Sequence, residues 1–372
     1  MSTSAVRLAS LALRDFRNFE RLDLGVPAEG LALVGENGHG KTNLLEAIYY
    51  LQVLRSVRGA RDVELVRFGA GGFHIDGTLA DGHRVSVGFE RATRRKRVKV
   101  DDAPVERLSD GIGALLAVMF APADVELVSA APVVRRRYLD IQLALASRTY
   151  LAALQTYRGA LLRRNAALRT AARTSGSEAR IAVWEAPLAQ AGGVLWRART
   201  EWAARVAARF SALCTMIGEP AHVALRYASA LEAGDDPAAA IARALEAKRA
   251  MDLRRGLTHA GPHRDDLAIT IDGRDLRAFG SAGQQRCAAI ALRIVEWESL
   301  RDARGVAPLL LLDDPFAELD DRRSARIIDI LSGAGLGQTV LTVPRARDVP
   351  EAFTRLERRR VVAGTVQPWE AS

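Results

Sequence analysis

The first hundred-odd residues read mainly as strands, at 6–13 and 21–24 and then at 73–79 and 84–89, where apolar and polar positions alternate, continuing at 98–100 after a basic turn. These strands are expected to form a small antiparallel sheet. The run Leu31-Ala-Leu-Val34 is apolar throughout and leads straight into a glycine-rich loop. Residues 43–54 then place Leu44, Leu45, Ile48 and Leu51 on one helical face. From about Asp124 the period becomes helical, over 138–174, 178–217 and 237–256, with a turn expected at 175–177. Trp184, Leu188, Leu195 and Trp202 fall along one stripe of such a helix, which predicts bundle core. Strand and helix signals alternate again from Thr258: strand 267–271, helix 283–300, strand 308–313, helix 322–331 and strand Thr339–Val343. That order implies parallel pairing. The expected organisation is an α/β head built from residues 1–122 and 258–372, interrupted by an all-helical lobe at 123–257.

Composition narrows this picture. The 372 residues are 49% apolar and 26% charged, the balance of a globular chain with a sizeable core. Two distant cysteines, Cys214 and Cys287, match no zinc or redox spacing and suit a reducing cytoplasm. Arginines at 7 and 14 interrupt any leader-like apolar segment, and no apolar run reaches the roughly 20 residues of a membrane helix. The net charge of +9 invites a polyanionic partner, but only four of the 53 basic residues are lysine. A general arginine bias therefore accounts for part of the charge, and charge alone supports such a partner weakly.

Residues 35–42 read Gly-Glu-Asn-Gly-His-Gly-Lys-Thr, between an apolar strand and an amphipathic helix. Glycines in such a loop let successive backbone N–H groups face one anion, and the following helix adds the positive end of its dipole. Gly35, Glu36, Asn37, Gly38, His39, Gly40, Lys41 and Thr42 are thus the expected nucleotide cradle. Lys41 is placed to reach the β- and γ-phosphates of ATP, and Thr42 to ligate Mg²⁺. His39 reads as a tolerated variable position in the loop rather than a catalyst. A second acidic element, Leu309–Leu312 followed by Asp313-Asp314, ends a buried strand. Asp313 is the expected Mg²⁺ partner, and Asp314 is placed to orient or deprotonate an attacking water.

Phe279-Gly-Ser-Ala-Gly-Gln-Gln-Arg286 opens a helix, which makes Ser281, Gly283 and Gln284 a second anion-binding candidate. It resembles the signature motif of ABC-type ATPases, and Glu318-Leu-Asp320 resembles their D-loop. That likeness implies that the serine and glycine reach the γ-phosphate held by a second subunit, so that ATP joins a homodimer. Leu13-Arg-Asp-Phe-Arg-Asn-Phe19 and residues 38–47 resemble SMC-type heads. Residues 120–128, 135–140, Arg163-Arg-Asn165, 261–267 and 281–286 resemble, in the same order, the RecF family of bacterial recombination mediators. This resemblance implies a P-loop NTPase fold of the ABC/SMC head type and ATP-dependent dimerisation on DNA with slow hydrolysis. It further implies action at gapped, single-stranded or junction DNA, RecR- and RecO-type partners, help in recombinase loading and SOS induction. The chain departs from the wider ABC pattern in carrying Asp314 where glutamate is common. Thr339-Val-Leu-Thr342 is followed by Val343-Pro344 where a histidine is common, so either Thr342 substitutes as γ-phosphate sensor or nothing does, and Gln142 is a weak candidate for the Q-loop glutamine. A transporter-type ABC subunit would share the loop, signature and dimer, but not the basic surface and helical insertion. A binding module that holds ATP without hydrolysing it differs only in chemistry.

For DNA contact, Arg91, Arg94, Arg95, Lys96, Arg97 and Lys99 crowd one hairpin, and Arg135–Arg137 begin a helix where they are also placed to pair with the acidic residues at 124 and 126. Aromatic residues are only 6% and do not interleave with these clusters, so phosphate contact is expected rather than base stacking. His263 with Asp265 and Asp266 lacks the ligand spacing of a transition-metal site and reads as a structural network.

Overall fold

A computed structural model of the chain describes residues 5–171, 178–231, 234–316, 319–333 and 337–370. The turn expected at 175–177 and Glu318 of the D-loop-like segment lie outside these residues. The chain divides into two units, Met1–Asp124 with Leu292–Ser372, and Val125–Ala291.

The first unit begins with the predicted antiparallel strands: β1 (Leu8–Phe16), β2 (Phe19–Gly25) and, after β3 (Gly30–Val34), α1 (Lys41–Val53) and α2 (Asp62–Leu65), the strands β4 (Gly72–Leu79), β5 (Arg84–Glu90), β6 (Arg95–Val100) and β7 (Ala103–Pro104). They pair in the order β2-β1-β4-β5-β6-β7. Alternation turns Leu11, Leu13, Ile75, Val85, Val87 and Val98 inward. There they join Leu44, Leu45, Ile48 and Leu51 of α1, all buried as the helical spacing predicts. Phe16, Tyr50 and Phe73 meet edge to face, with centroids 5.4–6.5 Å apart. The short strand β8 (Ala117–Phe120) closes the segment.

The second unit contains α3 (Glu126–Ser129), α4 (Pro132–Ala146), α5 (Arg148–Ala171), α6 (Glu178–Ala182), α7 (Glu185–Ile217), β9 (Val223–Ala228), α8 (Pro237–Arg255), β10 (Asp266–Ile271), β11 (Arg274–Asp275), α9 (Leu276–Phe279) and the start of α10 (Ala282–Arg304). Leu188, Leu195 and Trp202 are buried along α7 as predicted, while Trp184 is half-buried beneath the Arg163 guanidinium. The insertion is not all-helical. Val223-Ala-Leu-Arg-Tyr-Ala228 forms β9, which pairs antiparallel with β10, and β10 with β11. The parallel pairing expected of 267–271 is therefore also corrected. This pairing is why residues from 258 to 291 group with the insertion, and why the second division of the chain falls inside α10 rather than at 257. The first division, after Asp124, lies beside the expected one.

The chain then returns to the first unit with β12 (Leu309–Asp313), α11 (Asp321–Gly333), β13 (Thr339–Val343), β14 (Glu357–Val362) and β15 (Thr365–Pro368). A second sheet runs β15-β14-β3-β13-β12-β8, parallel except for β15. All residues of β3, β12 and β13 are buried, which explains their uninterrupted apolar sequences. Because β3, β13 and β12 are neighbours, the loops at their carboxyl ends lie together, where open α/β sheets bind ligands. No described helix is long and apolar enough to cross a membrane.

Candidate nucleotide site and basic face

The glycine loop leaves β3 and enters α1 through two left-handed glycines, Gly38 with φ 85° and Gly40 with φ 112°. A side chain at Gly40 would also strike Asn18, its Cβ lying 2.6 Å from Nδ2, so both backbone and neighbour demand glycine there. The turn leaves the N–H groups of residues 38–42 without an acceptor among the described residues. The Lys41 ammonium lies across the loop, donating to the carbonyls of Gly35 at 2.5 Å and Glu36 at 2.9 Å. Burial lowers its pKa, while the charges of Asp313 and Asp314 work in the opposite direction.

Thr42 and Asp313 come from positions 271 residues apart, and the Thr42 hydroxyl donates to Asp313 Oδ1 at 2.9 Å. Burial holds the Asp313 carboxyl above its ordinary pKa, opposed by the hydroxyls of Thr342 and Thr42 and by Lys41. Outward N–H groups, a cation, and a hydroxyl beside a carboxylate fit the phosphates of a nucleotide and a hard divalent ion. The site residues in this unit, Gly35 through Thr42 with Asp313, are thus brought together. Asp314 follows with φ 45°, and its N–H donates to Thr342 O at 3.2 Å and Thr342 Oγ1 at 3.1 Å.

Thr342 is corrected by this geometry. Its fully buried hydroxyl donates to Asp313 Oδ1 at 2.9 Å, so it clamps the carboxylate instead of standing free to sense a phosphate. His39 is anchored as well. The Ala363 N–H donates to its Nδ1 at 3.2 Å, and the Gly364 N–H to its carbonyl at 3.0 Å. The β14–β15 turn therefore braces the loop, a contact the sequence did not disclose.

A second support comes from the turn between β1 and β2. Asn18 donates to the His39 carbonyl at 3.0 Å and accepts from Asn43 at 2.8 Å. Arg17 grips the fully buried Glu46 of α1 through Nε and Nη2, at 2.9 and 3.1 Å, and Arg58 reaches Glu46 at 2.6 Å. Burial works to raise the Glu46 carboxyl, but hydrogen bonds from Arg17, Arg58 and Ser56 outweigh it and hold the group ionised. The sequence signal for Arg17, Asn18, Asn43 and Glu46 was the likeness of Leu13–Phe19 and of residues 38–47 to SMC-type heads; Ser56 and Arg58 carried none.

In the second unit, Ser281 and Gln284 form a reciprocal cap on α10. The Ser281 N–H donates to Gln284 Oε1 at 2.9 Å, and the Gln284 N–H to Ser281 Oγ at 3.3 Å. Gln284 is held further by Glu219 at 3.2 Å. The cap leaves the exposed Ser281 hydroxyl a proton to donate, at a helix start that also contains Gly283. Gln142 is buried with both amide atoms unpaired. His263 accepts from the Tyr157 hydroxyl at 2.5 Å, and Asp265 accepts from Tyr227 at 2.7 Å. These hydrogen bonds tie the stretch into a structural network. Arg135 belongs to it too, pairing at 2.8 Å through both Nε and Nη2 with Asp266 rather than with residues 124 or 126.

The basic hairpin is sorted by strand alternation. Arg95, Arg97 and Lys99 are exposed on the outer face of β6, and Arg94 lies in the turn with φ 53°. Lys96 points inward, donating to the Leu54 carbonyl at 2.7 Å, pairing with Asp62 at 2.8 Å and covering the Tyr50 ring. It is a packing residue, which corrects its inclusion among the DNA-facing side chains.

Comparisons with known proteins agree with this architecture. A family model described as the RecF/RecN/SMC N terminal domain matches residues 7–356. The DNA replication and repair protein RecF of Anaeromyxobacter dehalogenans is 37% identical over 374 residues, covering 98% of this chain and 99% of that protein. RecF of Roseiflexus castenholzii is 38% identical, covering 96% and 98%. Among solved structures, the recombination mediator protein RecF with ATP, from the RecFOR pathway, superposes with a TM-score of 0.91 at 27% identity, covering 99% of both chains. An Smc head domain from Pyrococcus furiosus, at 16% identity and a TM-score of 0.54 over 97% of this chain and 95% of its own, shares the fold. Fold, motif order and full-length similarity together place the chain in the RecF family of DNA replication and repair proteins, built on a P-loop ATPase head of the ABC/SMC type.

Proposed function

We propose that this chain is an ATP-switched DNA-binding protein of recombinational repair, working in the cytoplasm. ATP lies in the loop 35–42 with Lys41 on its outer phosphates, Thr42 and Asp313 hold Mg²⁺, and Asp314 positions the attacking water. Ser281, Gly283 and Gln284 of one copy meet the γ-phosphate bound by another, so that ATP closes a symmetric homodimer with two composite sites. The observation that carries this reading is the convergence of Lys41, Thr42 and Asp313 around a loop whose N–H groups face outward. Family membership and the ATP-bound RecF relative support it.

Turnover is slow in this reading, because the carboxylate of Asp314 sits on a shorter side chain than the glutamate common at that position. ATP then acts as a removable joint. The dimer binds single-stranded, gapped or junction DNA by phosphate contacts, works with RecR- and RecO-type mediators, helps load recombinase and thereby supports SOS induction. Light scattering tests the central step. ATP with Mg²⁺ doubles the mass in solution and ADP leaves it unchanged; a mass indifferent to nucleotide would end the reading.

A further inference from the structure

The open face of the antiparallel sheet carries a trough that the nucleotide site does not use. Strand register aligns Arg21, Arg14, His74, Gly88 and Arg97 in a single row across β2, β1, β4, β5 and β6. At about 4.8 Å per strand, the row is roughly 19 Å long. Gly88 contributes no side chain, so the row dips between His74 and Arg97. Gly72 does the same in the neighbouring pairing, opposite Glu90, which itself faces Arg95. The result is a groove of about 490 Å³ walled by Arg14, His74, Glu90, Arg95 and Arg97.

The charges on this face are unequal in their commitments. Arg14 and Arg21 share Asp23, at 2.9 and 3.0 Å, and Arg84 takes Asp76 at 2.8 Å. Arg95, Arg97 and Lys99 have no salt-bridge partner among the described residues, although all three are exposed on one strand. Like charges two positions apart on one face oppose each other, and Glu90, opposite Arg95, offsets only part of that repulsion. An anion lying in the trough would offset the rest.

We infer that the trough is a track for the sugar-phosphate backbone of DNA, with Arg95, Arg97 and Lys99 taking phosphates and Arg14 and His74 forming the opposite wall. This assignment rests on the DNA-binding reading above and deepens it. Guanidinium forks match phosphate oxygens in pairs, and glycine lets a backbone approach the sheet closely. The phenylalanines of these strands, Phe16, Phe19, Phe73 and Phe89, are all buried, which leaves no phenylalanine ring for base stacking and favours sequence-independent contact. An acidic peptide fits less well, since it would need side-chain pockets or a free strand edge, and this surface is the face of the sheet.

The test is fluorescence anisotropy of a labelled gapped duplex titrated with the full chain, ATP and Mg²⁺ across a salt series. Arg95→Ala with Arg97→Ala should weaken binding more than about tenfold at low salt. It should also lower the slope of log affinity against log salt by roughly 2, about 0.9 for each lost phosphate contact. Gly88→Val changes no charge and fills the floor. A Cβ there meets nothing nearer than His74 Nδ1 at 3.4 Å, an ordinary contact, so the strand accepts it. It should weaken DNA several-fold while nucleotide binding, read on the same preparations, stays intact. If the unaltered chain binds DNA and these variants keep its affinity and slope, the track is refuted and the DNA-binding reading survives. If the unaltered chain binds no DNA at all, both fall. Variants that lose a labelled polyglutamate probe but keep DNA would make the trough a dock for acidic protein and overturn the assignment.

Discussion

His263 accepts the Tyr157 hydroxyl at Nδ1 and donates from Nε2 to the Thr258 carbonyl at 3.0 Å. Accepting at Nδ1 requires the neutral ring, whereas the donation from Nε2 is open to the protonated ring as well. Burial is the main cause that pushes its pKa down to about 4, and Arg264 and Arg136 add to it, outweighing the Thr258 carbonyl and Asp252. In the unfolded chain the group returns to its ordinary value of 6.5. Below pH 6.5 the unfolded state therefore takes up the proton first, and stability falls with pH until the folded ring titrates near 4. The full shift corresponds to about 3 kcal/mol. Thermal melts between neutral pH and pH 5 should show this acid loss, and His263→Gln, which keeps a donor and an acceptor but does not titrate, should show less of it. Equal pH slopes for the two proteins would rule His263 out as the cause. Thr342 and Lys96 carry the matching lesson about legibility. Residue type and strand position were readable at both, but the partners that consume the Thr342 hydroxyl and the Lys96 ammonium belong to another strand, β12, and to the helix α2.

Among the elements, the β14–β15 hairpin has the most unexpected bearing on the nucleotide loop. Gly364 sits at φ 80°, and a Cβ there would lie 2.2 Å from the Asn18 carbonyl oxygen. The contact is with backbone, so Gly364→Ala must displace the turn and its hydrogen bond to His39. We expect several-fold weaker ATP binding, measured by displacement of a fluorescent nucleotide, and milder weakening in His39→Ala, which removes only the acceptor for Ala363. A lower melting temperature with unchanged nucleotide affinity would reduce the hairpin to a structural role. The hairpin was not read from the sequence because Glu357-Arg-Arg-Arg-Val-Val362 hides its one deeply buried side chain, Val361, among charges. β9 was missed because it lies in a region whose alanine and leucine content favours helix. By contrast, β1, β4, β5, β12 and β13 were legible because one or both faces meet the core, so burial is written as alternation or as an unbroken apolar run.

For the whole molecule, the question is whether the glycine loop forms a complete site within one chain or half of a shared one. The Ser281 side chain supplies the discriminating change. Its hydroxyl caps α10 by accepting the Gln284 N–H, and its remaining proton is available to an anion outside the chain. Ser281→Ala removes the cap, a local cost of about 1 kcal/mol, but leaves room for another copy to approach. Ser281→Arg removes the cap equally and also projects a bulky cation where the second copy's triphosphate would arrive. If the residue acts across a dimer, both variants bind ATP in the loop 35–42 as the unaltered chain does. They differ in assembly, the alanine form dimerising weakly with ATP and the arginine form remaining monomeric in light scattering. If the residue instead serves the nucleotide of its own chain, Ser281→Arg weakens ATP binding itself, most visibly in dilute protein where no dimer forms. An arginine variant that still doubles its mass with ATP would refute the shared site, and the phosphate cradle would then have to be understood as belonging to a single chain.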